Sequence, residues 1–303
     1  MNVPINRVAE DPPMIIRTEK RKISTVRILA ELWEARELVV QFTMRDITIR
    51  YAQAVMGFAW ALFMPCLIVA AGLIFRLAFS NASGTSGQTS SVASLLVKSL
   101  PWAFFSASIS QSTQSILAYA SLIGKVKFPR ESLPLASVIA QSADLFIGAT
   151  LIAVILPFLG VSLGLSLLWV PLLVVLLILF VVGNGLILSC ANLFYRDVKY
   201  IVQVLLNFGV FATPVFFEPQ MLGPRYGAIM LKLPLSPFIQ GLDLSIVHGH
   251  NLLEPLSLPG SDGVMVTVWS PWMLGYAVLL TVVVLWSGLR IFRRGAAHFA
   301  EMA

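Results

Sequence analysis

Few residues in this sequence could carry bond chemistry, and none are spaced to act together. There is no G-x-x-x-x-G-K-[ST] run, so the chain has no phosphate loop of that kind for ATP. There is no H-E-x-x-H run and no cysteine pair with metal-ligand spacing. His248 and His250 flank Gly249, and two imidazoles alone make a poor metal site. Asp243, Glu254 and Asp262 fall in a polar stretch and read as solvated loop carboxylates. Cys66 and Cys190 lie inside apolar runs and read as free thiols, with no disulfide framework. These patterns predict no catalytic residue, no metal and no cofactor bound by this chain.

Asp144 stands apart, because it is the one acidic or basic residue in the stretch 133–195. An acid deep in an apolar segment costs several kcal/mol, at about +2.5–3.5 on insertion scales, unless it meets a partner or water. Ser108, Gln111, Ser112 and Ser115 repeat at the 3–1–3 spacing of one helix face, at a similar depth in the preceding apolar run. The expectation is that Asp144 faces this polar stripe. It acts there as helix–helix glue or as part of a transport path.

The elements that must position these residues follow from composition. Hydrophobic residues make up 57% of the 303 residues and charged residues 12%, where a soluble domain carries about 25% charged residues. Residues 51–119 contain no acid and only Arg76 and Lys98, and 263–289 contain no charge. A hydrocarbon core of about 30 Å takes about 20 apolar residues in a helix. The sequence therefore predicts an all-α membrane protein with six transmembrane helices, near 55–79, 95–119, 133–158, 168–192, 199–217 and 266–289. The alternating pattern of a membrane barrel is absent.

The net charge of +6 could suggest nucleic acid, but its distribution predicts membrane topology instead. With the N-terminus taken as cytoplasmic, seventeen lysines and arginines fall inside and only Arg225 and Lys232 outside; Arg76 and Lys98, near outer span ends, snorkel outward. Both termini are expected on the cytoplasmic side.

Residues 1–28 read as a flexible cytoplasmic N-terminus without the early apolar run of a signal peptide. Residues 29–50, with Leu29, Leu32, Trp33, Val39, Val40, Thr43 and Ile47 at helical spacing, predict an amphipathic helix on the cytoplasmic surface. The six-span domain covers 51–292, with a cytoplasmic loop at 120–132, and 293–303 form a cytoplasmic tail. The outside segment 218–265 holds apolar runs too short to span, broken by prolines. It reads as short re-entrant or periplasmic helices between the fifth and sixth spans, lining a cavity or capping the surface. Gly183-Asn184-Gly185 predicts close helix packing with one interhelical hydrogen bond. Aromatic residues gather near span ends, among them Trp102, Phe104 and Phe105. They form an interfacial belt or flat faces for sugar rings.

Several motifs, in order, carry a resemblance: Arg45-Asp46-Ile47-Thr48-Ile49-Arg50-Tyr51 with Gly57-Phe58-Ala59-Trp60; Leu100-Pro101-Trp102-Ala103-Phe104-Phe105-Ser106; Ser121 through Glu131; Asn192-Leu193-Phe194-Tyr195-Arg196-Asp197-Val198; Phe211-Ala212-Thr213-Pro214-Val215; and Leu235-Ser236-Pro237-Phe238-Ile239. Together they resemble type-2 ABC transporter permeases of the polysaccharide exporter family, which export O-antigen, capsule or teichoic acid. The resemblance implies a subunit of the bacterial inner membrane that pairs with a second copy of itself and with two ABC ATPase subunits. ATP and magnesium would sit on those partners, and a polyprenyl-linked polysaccharide would cross between the two permeases, surrounded by membrane lipids. It implies ATPase coupling through Arg45, Asp46, Lys125, Lys127, Arg130 and Glu131, and a channel lined by Phe58, Trp60, Phe63, Phe208 and Phe211. The same fold exporting a lipid or drug, or an ion-coupled carrier using Asp144, remains an alternative.

Overall fold

A computed structural model describes residues 25–51, 63, 66–74, 92–123, 128–162, 164–260 and 263–296. Phe58, Trp60, Lys125 and Lys127, and most of the span expected at 55–79, lie outside the described residues.

Among the described residues, four helices are long and apolar enough to cross a membrane. They are α3 (Val92–Ala118), α4 (Ser132–Ile155), α5 (Trp169–Phe194) and the last helix, Trp272–Ala296. Before them come α1 (Thr25–Glu34) and α2 (Arg36–Tyr51), joined by a turn at Ala35, whose N–H donates to Glu31 O and whose carbonyl accepts from the Val39 N–H. After α5 comes α6 (Val198–Ala212), apolar but only 15 residues long, about 22 Å at 1.5 Å per residue. The fifth span was expected to reach 217; Thr213 is extended and Pro214 follows, so the helix stops early.

Helices α7 (Gly223–Leu231) and α8 (Ser236–Ile246) follow, and then two antiparallel strands, β1 (Leu256–Pro259) and β2 (Met265–Trp269). The last helix is α9. The sixth span was expected to begin at 266, but 265–269 are strand. The Met-Val-Thr-Val-Trp alternation, with β-branched residues, suits a pleated ribbon. Trp269 is fully buried and donates its indole N–H to Leu252 O at 2.9 Å.

Helix α3 is central and packs against both α4 and α5; α9 lies against α5, and α2 lies against α4. Small residues set these spacings. A methyl on Gly183 would come within 2.7 Å of the Leu285 backbone nitrogen, and one on Gly288 within 2.5 Å of Gly183 O, so α5 and α9 touch backbone to backbone. Gly185 accommodates Ser112 of α3 in the same way. Asn184 corrects its expectation: its amide donates to Phe180 O of its own helix at 2.9 Å, not across helices.

The aromatic residues near 102–105 also differ from a belt. Trp102 and Phe104 are buried. Trp102, Phe105, Phe180 and Phe238 stack in succession, at 5.9, 6.4 and 5.4 Å between ring centroids, and join α3, α5 and α8 inside the core.

Candidate functional site

Charged and polar side chains gather at both ends of the bundle. The end bearing Arg196, Arg290 and residues 128–131 is the basic end. There Arg293 of α9 reaches two carboxylates: its Nη2 pairs with Glu31 of α1 and its Nε with Glu131, just ahead of α4. Glu131 is almost wholly buried, with 4% of its side chain exposed. A planar guanidinium can hold two carboxylates in fixed directions. Arg293 thereby ties together three segments that are distant in sequence. Beside it opens a cleft of about 590 Å³, lined by Glu31, Glu34, Ala35, Phe128, Pro129, Arg130, Glu131 and Arg293. Arg130 and Glu131 were expected from sequence here. Glu31 and Arg293 were not, because nothing in their spacing signals a contact across 262 residues.

Helix α2 does not simply lie on a surface. Phe42 packs on Tyr119 and Phe128, at 5.2 and 5.7 Å between centroids. Thr43 Oγ1 donates to Ala136 O at 3.4 Å, Ser137 Oγ donates to Asp46 Oδ2 at 3.3 Å, and Arg50 Nη1 donates to Gln141 Oε1 at 2.7 Å and Asp144 Oδ2 at 2.6 Å. The contacts advance in the same direction along both helices, so α2 runs parallel to the first half of α4.

The expected partner of Asp144 is thereby corrected. Its carboxylate pairs with Arg50 and accepts the Tyr51 O–H, both at the end of α2. Ser108, Ser112 and Ser115 are buried. Ser112 and Ser115 return their hydroxyls to their own helix, and Ser108 Oγ has no partner. Gln111 is exposed and, together with Ser115, borders a pocket shared with Asp46 of α2 and Ser137 of α4. An Asp held by an arginine has its counter-ion inside the protein, which argues against the ion-coupled carrier.

At the basic end of α3, just past Ala118, Tyr119 is buried and donates its hydroxyl to Asp46. Burial, reinforced by the Asp46 carboxylate, pushes that hydroxyl above its ordinary range and keeps it a donor. Arg45 lies over the Tyr119 ring, 4.6 Å from its centroid. From Arg36 to Arg45 the helix advances about 14 Å, so Arg45 and Asp46 stand apart from the cleft beside Arg293.

Of the expected channel aromatics, Phe208 and Phe211 are exposed on α6, and Phe63 is also exposed. Tyr200, Ile201, Val204 and Leu205 continue the open apolar face of α6.

The opposite end holds a cluster that the sequence reading treated as unremarkable charge. Lys98 does not snorkel. Only 1% exposed, its Nζ lies 3.1 Å from Asp243 Oδ2 of α8 and 3.7 Å from Glu218 Oε1. Ser94 Oγ donates to Asp243 Oδ1 at 2.6 Å, and His248 Nε2 lies 3.8 Å from Oδ2. Asp243 is as buried as Lys98, so it is no solvated loop acid. Among the described residues no three His, Cys, Asp or Glu side chains come together as a metal site.

The chain is 27% identical over 267 residues to an O-antigen export system permease protein RfbA of Klebsiella pneumoniae, covering 88% of this chain and 95% of the relative. It is 26% identical over 282 residues to an O-antigen export system permease protein RfbA of Myxococcus xanthus, covering 91% and 99%. The ABC-2 type transporter family profile matches residues 37–246, from α2 through α8. That is more than half of the sequence, and the chain belongs to the ABC-2 type transporter family.

Proposed function

We propose that this chain is the membrane subunit of an ATP-driven exporter that carries a polyprenyl-linked surface polysaccharide across a bacterial inner membrane. The observation that carries the reading is the cleft at the basic end, where α1, residues 128–131 and Arg293 of α9 converge. A partner seated there would push on three elements of the bundle at once. The family and the O-antigen export names of the relatives support the cargo.

In this reading two ABC ATPase subunits dock at the basic end, which faces the cytoplasm together with both termini. ATP and magnesium are held by those subunits. Arg130 and Glu131, with Lys125 and Lys127 of the same loop, receive the motion, and Glu31 and Arg293 pass it to α1 and α9. A second copy of the chain faces the open side of α6. There Phe208 and Phe211, joined by Phe58, Trp60 and Phe63, offer flat apolar faces to sugar rings. The open apolar faces of α4, α5 and α9 meet lipid, and α7, α8 and the two strands cover the periplasmic end.

A tagged copy should co-purify with a nucleotide-hydrolysing ATPase, and a strain lacking the chain should lose its surface glycan. Transport in vesicles that persists without ATPase and collapses with the proton gradient would overturn the exporter reading. A normal surface glycan in a strain with no second exporter would overturn the cargo.

A further inference from the structure

Between α2, α3 and α4 lies a pocket of about 310 Å³, distinct from the cleft beside Arg293. Its volume is at the lower end of the roughly 300–1,000 Å³ typical of small-molecule sites, the size for one compact polar group and not for a chain. Its chemistry is unusual for a bundle of apolar helices. Arg45, Asp46, Gln111, Gln114, Tyr119 and Ser137 all line it.

Arg45 is the anchor. Among the described residues it has no carboxylate partner, and its guanidinium carbon lies over the Tyr119 ring, 4.6 Å from the centroid. The ring contact holds the guanidinium in place without using its N–H groups on a carboxylate, and that fork suits two oxygens of a phosphate. Asp46 accepts from Tyr119 and Ser137, which orient its carboxylate while leaving lone pairs for a further donor. Among the described residues Gln111 has no hydrogen-bond partner, and Gln114 uses only its amide nitrogen, at 3.3 Å to Ser110 O.

The approach to the pocket is polar as well. Ala107, Gln111, Gln114 and Ala118 are exposed in steps of four, three and four residues, a single face of α3. Exposed glutamines on a membrane-crossing helix are costly against hydrocarbon and read as the wall of a water-filled path. The pocket thus sits at the basic-end foot of a hydrated helix face, with a cation beside a carboxylate and two amides.

We propose that this pocket is a subsite for a phosphorylated sugar. The phosphate sits on Arg45, and the ring hydroxyls are shared among Asp46, Gln111 and Gln114. The inference rests on the export reading for the origin of its ligand, the lipid-carried end of a glycan. It departs from the resemblance for Arg45 and Asp46, which become substrate contacts in place of ATPase contacts.

The test uses the purified full-length protein in lipid nanodiscs and three radiolabelled probes: a short polyprenyl pyrophosphate bearing one hexose, the same pyrophosphate without sugar, and phosphatidylglycerol. The hexose-bearing probe should bind best. Arg45→Gln should weaken both pyrophosphates by about 10–100-fold, the loss of a charged hydrogen bond. Gln111→Leu should weaken only the hexose-bearing probe, by about 2–10-fold, and Arg225→Gln at the other end should change nothing. If Arg45→Gln elutes aggregated, Arg45→Lys takes its place, since it keeps the charge but loses the fork. Gln111, being exposed, gives a second test independent of folding. Equal binding of the sugar-free probe, a preference for phosphatidylglycerol, or unchanged binding in both variants would overturn the subsite. Loss of surface glycan in the deletion strain with unchanged probe binding would sink the pocket alone, whereas a normal glycan with the expected probe pattern would sink only the export reading.

Discussion

At each end of the bundle a cation is shared by two carboxylates, but the two clusters differ in their access to water. Lys98 and Asp243 are each 1% exposed. Arg293 and Glu31 keep 24% and 33% of their side chains exposed. A buried pair broken on one side leaves a stranded charge and costs about 3–5 kcal/mol, whereas an exposed pair is worth about 0–1 kcal/mol. The first kind of contact holds α8 to α3 as one body. The second kind can open and close within a working cycle. The end proposed to receive an ATPase therefore carries one weaker contact, Arg293 to Glu31, beside the buried Glu131, and the end proposed to cap the conduit carries the pair buried on both sides.

The contrast breaks most readily at Lys98. Lys98→Met leaves Asp243 and Glu218 without their cation. It should lower the unfolding free energy of the purified protein by about 3–5 kcal/mol in a denaturant titration. The double variant Lys98→Met/Asp243→Leu removes both charges from the pair and should regain more than half of that loss. A single-variant cost below about 1 kcal/mol would mean that the two ends do not differ.

Asp144 sits between these extremes, since Arg50 and Asp144 keep 24% and 23% of their side chains exposed. Asp144→Leu removes the acceptor of Arg50 and Tyr51 and should cost about 1.5–3 kcal/mol, the range for hydrogen bonds to charged groups. Combined with Arg50→Leu, the two costs should fall well short of additive if the pair couples α2 to α4. Additive costs would show that α2 is held by its other contacts, those of Phe42, Thr43 and Asp46. Glu31→Gln, which leaves Arg293 on the buried Glu131, should cost less, about 1 kcal/mol, yet should reduce glycan transported per ATP hydrolysed more than it reduces ATPase co-purification. Equal reductions would make Glu31 a docking residue and not a transmitter.

These predictions rest on partners that the sequence only partly discloses. The four long helices were legible because runs free of charge have one explanation, and α4 and α5 begin within a residue or so of their expected starts. The end of α6 at Ala212 was also within reach, since Pro214 was visible, as was the β2 alternation from Met265 to Trp269. What spacing could not show was which polar residues meet. Asp144 was singled out as needing a partner, but the partner lies 94 residues away on α2, and the nearer serines matched it only in depth. Lys98 and Asp243 were each assigned to water, because nothing local reveals that α8 folds back over the end of α3. Periodicity identifies a face. It does not identify what covers that face when the covering element is distant in the chain.

The smallest expected effect separates the two ends without any substitution. Raising ionic strength from 0.1 M to 1 M shortens the screening length from about 10 Å to about 3 Å and weakens contacts that water and ions can reach. Arg293 and Glu31 are reachable, so hydrogen exchange in α1 should speed up by a small factor, on the order of twofold for a few tenths of a kcal/mol of lost pairing. Lys98 and Asp243 exclude ions, so α8 should exchange at the same rate in both salts. Equal acceleration at both ends would mean that the Lys98 cluster opens to solvent as often as the Arg293 cluster does. In that case α8 belongs among the moving parts of the exporter, not its fixed frame.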